Sequence, residues 1–299
     1  MDDIFQASVT ELDELVKNGD LGETSSDLLK KREKLPSDQF LYLSFLSIYG
    51  NSDLDIRVAN FTEEFLGLFT EAIMADAEAT DQIIAASIRG TNDHPELETM
   101  SAMEKFLIDK QSMTNKIRTL KGQKNASNFE LKELGNITLR NYSNGFEYAM
   151  KIFIFLIGLE RVIQNKPYDL SGTASLTSSQ KLNQFRQLTK GNHSLLVDGW
   201  DDRLRNADSH LNIMFDTNTR TFVGRNRFVQ KEEDRKIHKV ESFEISPTEM
   251  YEEVLPRIGN FIQGYLSAGF LLALVNKNRN LYNKAADFMN KVVEQQNLK

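Results

Sequence analysis

The chain has 299 residues, 40% hydrophobic and 9% aromatic, enough for one large packed domain or two smaller ones and too many for wholesale disorder. It has no cysteine, which excludes disulfides, thiolate metal sites and cysteine nucleophiles. The net charge of −7 is uneven: residues 1–100 carry 21 acidic and 7 basic side chains, a net −14, and the rest carry 22 and 29, a net +7.

Ile4, Phe5, Val9, Leu12, Leu15 and Val16 recur at helical spacing, which predicts a helix over 3–18. A short helix over Ser25–Lys34 stops at Pro36, and "SDQFLYLSFLSIYG" (37–50) reads as a buried helix ending on Gly50. Residues 60–89 are amphipathic, with Phe61, Phe65, Leu68, Phe69 and Ile73 on one stripe. Pro95 is expected to open a helix running to about Gly122, whose Met100, Met103, Phe106, Leu107 and Met113 pack in a core. The polar, breaker-rich "KGQKNASNF" (121–129) suggests a boundary. It separates an acidic helical region, 1–124, from a second helical domain, 125–299.

Residues 130–165 are read as one or two long helices, and 165–180 as a loop whose Ser178 and Ser179 can cap the next helix. Helices are expected over 180–189 and 194–209. Two β-prone runs then flank Asp216–Thr219 as a hairpin, followed by a charged loop, "QKEEDRKIHK". Pro256 should kink the long apolar helix over 246–275 or split off its first turn, and a last helix covers about 278–296. The fold class is therefore all-α: a multi-helix bundle with one small β-hairpin inserted after the helix of 194–209.

The start, "MDDIFQASVTELDELVK", lacks the basic and apolar regions of a secretion signal. In the apolar run 146–163, Lys151, Glu160 and Arg161 leave only Ile152–Leu159 uncharged, too short to span a bilayer. These features imply a cytoplasmic protein with no membrane partner.

The chemistry concentrates in "WDDRLRNADSHLNIMFD" (200–216), which holds the single Trp and one of four His. Arg205-Asn206-Ala207-Asp208-Ser209-His210 places an arginine and an asparagine just before a histidine, near a helix end and ahead of the hairpin. This pattern resembles the Arg-x4–6-His signature of the HEPN superfamily over roughly 125–299. The resemblance implies an all-helical, usually dimeric domain and, in many members, a metal-independent endoribonuclease of anti-phage defence or toxin systems. The family's nucleotidylated form carries Tyr two residues after the His; here that position is Asn212, so that modification is not implied.

On this reading His210 exchanges protons, the Arg205 guanidinium grips a phosphate, and Asn206 orients the His or donates to the phosphate. A two-fold dimer would supply acid and base together. RNA is the implied partner, with a homodimer mate and a regulatory protein at the acidic N-terminal region. No cofactor and no metal are implied. Helix geometry favours another arginine: Arg205 and His210 lie roughly 140° apart around a helix, whereas Arg203, Asn206 and His210 share a face. Arg220, Arg225, Arg227 and Lys231 on and after the hairpin are candidate guides for single-stranded RNA. The competing structural reading pairs the arginines with Asp201, Asp202 or Asp208, caps a helix end with His210 and makes Trp200 a core anchor. It leaves a non-enzymatic RNA- or protein-binding module. Elsewhere, Asp93, His94, Glu96 and Glu98 could suggest a metal, but Pro95 and an acidic helix start account for them better. His193 is placed in a turn and His238 in a solvated loop.

Overall fold

The computed structural model describes residues 27–28, 30–49, 56–209, 212–232 and 235–297. The helix expected over 3–18 lies outside them, as does the start of the one over 25–34. The protein is mostly helical with one small antiparallel sheet, so the all-α class with a small β insertion holds. It divides into two compact units, each assembled from separate stretches of chain.

The first unit combines residues up to Glu104 with Ala149–Asp198 and Gly259–Lys299. Its elements are α1 (Ser37–Tyr49), α2 (Arg57–Ala75), α3 (Ala77–Arg89), the start of α4 (Met100–Lys121), the C-terminal part of α5 (Asn128–Ile163), α6 (Leu170–Ala174), α7 (Ser178–Thr189), α8 (Ser194–Val197), most of α10 (Leu255–Lys277) and α11 (Arg279–Asn297). The single stripe over 60–89 is two helices because Asp76 leaves helical backbone and its carboxylate accepts from Ala79 N. Pro95 opens only a 3-10 turn, Pro95–Leu97, and α4 starts at Met100, where buried Glu98 accepts from Ser101 N. Thr177, not Ser178 or Ser179, caps α7, in a reciprocal box with Gln180.

The core of this unit is aromatic. Phe153 stacks on Phe261 at 5.5 Å and meets Phe185 edge-on, and Phe65 meets Phe261 and Tyr265 edge-on at 5.1 and 5.4 Å. A second cluster joins Phe45, Tyr49, Val58, Leu271, Leu274 and Met289. Residues Ile152–Glu160 of α5 are all buried, which explains their unbroken apolar run. Glu160 is the exception in chemistry: burial pushes its carboxyl above its ordinary value of 4.5, and nearby His193 opposes the shift. His193 itself sits in a left-handed turn, its Nδ1 2.7 Å from Glu64 Oε2. The folded state holds a proton on Glu160 more tightly than the unfolded chain, so stability falls as pH rises from 4.5 through the folded value. Glu160→Gln is therefore expected to raise the melting temperature at pH 7, with the gain shrinking as pH falls towards 4.5; thermal scans across that range check it.

The second unit combines Lys105–Tyr148 with Gly199–Ile258. It holds most of α4, the first part of α5, α9 (Asp202–Ser209), and strands β1 (Ile213–Asp216), β2 (Thr221–Glu232) and β3 (Arg235–Ile245). The sheet has three antiparallel strands in the order β1-β2-β3, with Phe215 opposite Phe222 and Gly224 opposite Phe243. The charged stretch expected as a loop is instead strand on both sides of residues 233–234. It has one apolar residue, Ile237, which pairs with Gln230, so no alternation marks it as strand and the ladder between β2 and β3 sets it. Gly135 of α5 lets the sheet approach, since a Cβ there would lie 2.4 Å from Phe215 Cβ.

α5 is one helix of 36 residues, about 54 Å long at 1.5 Å per residue. Helical backbone runs from Pro247 to Lys277 through Pro256, and a π turn at Met250–Val254, just before the proline, sets the first turns off from α10. The wider turn absorbs the hydrogen bond that proline cannot donate. This segment, rather than 146–163, is long and apolar enough to cross a membrane by composition, with mean hydropathy 1.5 over a window half buried in the protein.

Candidate functional site

The helix expected over 194–209 is broken. Gly199 takes φ +81, a conformation side chains resist, and separates α8 from α9. Trp200 then meets Phe146 edge-on at 5.6 Å, with the Arg257 guanidinium 5.3 Å from its ring centroid. Tyr142 donates its hydroxyl to the Asp201 carbonyl at 2.5 Å, and Asp201 Oδ1 accepts from Arg203 N at 3.0 Å. A ring contact and a hydrogen bond thus tie the residues just ahead of α9 to α5. α9 also packs against β1 and β2, and its Leu204 and Ala207 are buried.

The two competing arginines are held differently. Arg203 donates Nε and Nη2 to the two oxygens of Asp201, at 3.0 and 2.8 Å, and lies over the Phe243 ring at 5.4 Å. That carboxylate raises the Arg203 pKa further above its ordinary value. Arg205 donates Nε to Glu147 Oε1 on α5 at 2.7 Å. Among the described residues its Nη1 and Nη2 have no hydrogen-bond partner. One carboxylate therefore occupies the fork of Arg203, while Arg205 is anchored at one edge and open at the other.

Asn206 lies on α9, with its side chain outside the described set, and His210 lies outside the described residues. Arg220 sits in the β1–β2 turn at φ +56, exposed. Arg225 and Arg227 are exposed on β2, whereas Phe222, Gly224 and Asn226 of the same strand are buried. Because neighbouring residues of a strand face opposite sides, Arg225 and Arg227 point away from the face that carries Phe243 and receives α9. The structure therefore brings Arg203 and Arg205 together on one helix and does not bring Arg225 or Arg227 beside them. Lys231 lies on β2 with its side chain outside the described set.

Further residues of this unit carry no signal in the sequence. Glu147 is 58 positions from Arg205, and no local pattern links them. Asp109 of α4 is buried and accepts from Arg140 Nε and Asn144 Nδ2, both at 2.6 Å. Arg140, Asn144 and Glu147 fall at i, i+4 and i+7 on α5, so they share its face with the carboxylate that holds Arg205. Asn226 Oδ1 is buried without a hydrogen-bond partner among the described residues. At the other histidines, His94 Nδ1 is 3.0 Å from Glu96 Oε1 and His238 is exposed on β3. No group of three or more His, Asp or Glu converges for a metal among the described residues. No family model, curated protein or solved structure matches the chain.

Proposed function

We propose that the protein is a metal-independent endoribonuclease of HEPN type, acting as a homodimer in the cytoplasm as an anti-phage defence or toxin effector. The observation that carries this reading is the half-open Arg205 guanidinium, oriented through Nε by Glu147 with its Nη edge left to receive a phosphate. Arg205 grips the scissile phosphate and offsets the charge that develops on its oxygens. His210 takes the proton from the 2′-OH, the 2′-oxygen bonds to phosphorus, and the bond to the 5′-oxygen breaks. The His210 of a second protomer gives that oxygen its proton, leaving a 2′,3′-cyclic phosphate and a 5′-OH. Arg140, on the Glu147 face of α5 with an exposed guanidinium, is placed to meet a neighbouring phosphate. The acidic N-terminal third would face a regulatory protein rather than RNA.

A second reading has its own support: both arginines already have carboxylate partners within the protein, as they would in a helical module that binds RNA or protein without cutting. Incubating the full chain with labelled single-stranded RNA in EDTA separates the two. Cleavage to cyclic-phosphate ends, blocked by 2′-deoxy substitution at the cut site, is the expected result. Intact RNA retained in a complex would replace the nuclease reading with the binding module.

A further inference from the structure

We propose that the first unit holds a nucleotide pocket between the end of α5 and one face of α7, separate from the arginine site. The groove there is open to solvent and has a volume of about 520 Å³. Asn183, Gln184 and Gln187 line it from α7, at positions that fall on one stripe of that helix. Arg161 and Lys166 line it from the end of α5 and the loop beyond, and Lys190 from the end of α7. In a chain with 43 acidic and 36 basic residues, no carboxylate is among the lining side chains.

The arrangement is built rather than merely polar. Gln164 donates Nε2 to the Leu188 carbonyl at 2.7 Å, tying α5 to α7, and its Oε1 accepts from Lys166 Nζ at 2.8 Å. That bond holds an ammonium at the rim. Arg161 spends one donor on the Pro167 carbonyl at 3.4 Å and keeps the rest of its fork. The side chains of Gln184, Gln187 and Lys190 have no hydrogen-bond partner among the described residues, while Leu176 and Leu188 supply an apolar patch.

The ligand chemistry follows from this set. Three cations with no opposing carboxylate favour a phosphate-bearing ligand. Carboxamides each offer a donor and an acceptor, which matches the edge of a nucleobase and is more than a bare inorganic anion requires. A neutral sugar would use the amides and leave the cations idle. A nucleoside phosphate uses both and rests its base or ribose on the leucines.

Calorimetric titration of the full chain tests this, with ADP, GDP, CDP and UDP as probes, pyrophosphate as the base-free control and a short 2′-O-methyl oligonucleotide as the polymer control. At least one nucleotide is expected to bind saturably, with pyrophosphate about tenfold weaker or more, a gap of ~1.4 kcal/mol. Gln187→Leu and Lys190→Glu should each weaken that nucleotide about tenfold or more while melting and circular dichroism stay unchanged. The proposal is overturned by no saturable nucleotide binding, by pyrophosphate matching the nucleotides, or by variants that bind as well as the parent. It is equally overturned if the oligonucleotide binds more tightly than any nucleotide and loses affinity in the same variants. None of these readouts depends on RNA cleavage, so the pocket stands or falls apart from the nuclease reading.

Discussion

Replacing His210 or Arg205 with alanine is expected to slow RNA cleavage in EDTA by about 10²–10⁴-fold, the usual contribution of a proton-transferring or charge-stabilising side chain. Arg203→Ala is expected to cost less than about tenfold, because Asp201 already takes the edge of the Arg203 guanidinium that a phosphate needs. The Arg205 effect should not come from unfolding. The Arg205–Glu147 pair is half-exposed, and such pairs contribute about 0–1 kcal/mol. Melting of Arg205→Ala should therefore stay close to that of the parent. Glu147→Gln should lie between, since it keeps a hydrogen-bond acceptor near Nε but loses the charge that orients the fork. Cleavage rates and melting temperatures measured on the same preparations check the set. The reverse order, with Arg203→Ala dead and Arg205→Ala active, would assign the phosphate to the helical stripe Arg203–Asn206–His210 instead.

The largest effect on stability is expected at Phe153. Its ring is fully buried, stacks on Phe261 and meets Phe185 edge-on, so three helices, α5, α7 and α10, share it. Phe153→Ala removes that burial and leaves a cavity the surrounding rings cannot close, a loss of about 3–5 kcal/mol. Most small-domain proteins have only about 5–15 kcal/mol in total, so the variant should unfold at markedly lower denaturant concentration. Phe153→Leu, which keeps most of the volume, should recover more than half of the loss. Denaturant titration of both variants checks this, and a midpoint for Phe153→Ala close to that of the parent would show that the cluster is not the core of the unit.

The element types were largely legible because they depend on local periodicity. The stripe from Phe61 to Ile73, the apolar run inside α5 and the last helix all form as read. The breaks were less legible where a single side chain or backbone angle decides them. Asp76 ends one helix and caps the next, Gly199 splits the helix ahead of the arginines, and a π turn absorbs Pro256. Each lies inside a stretch whose hydrophobic pattern continues across it. The third strand was hidden for a different reason: "QKEEDRKIHK" has one apolar residue, Ile237, so only cross-strand pairing to β2 reveals it as strand.

The sequence by itself determined the helical class, the crowding of Arg203, Asn206, Arg205 and His210 into two turns, and an acidic first third, all consequences of neighbouring residues. It also posed the choice between the two arginines without deciding it, because spacing reports angle around a helix and not which donors are already taken. The tertiary structure distinguished the two arginines by partner. Asp201 takes the fork of Arg203, and Glu147, brought 58 residues across the chain where Tyr142 and Phe146 meet Asp201 and Trp200 just ahead of α9, takes only the Nε edge of Arg205. Strand alternation likewise turned Arg225 and Arg227 to the far face of the sheet. These outcomes depend on long-range contacts, and no local pattern encodes which carboxylate will meet which guanidinium.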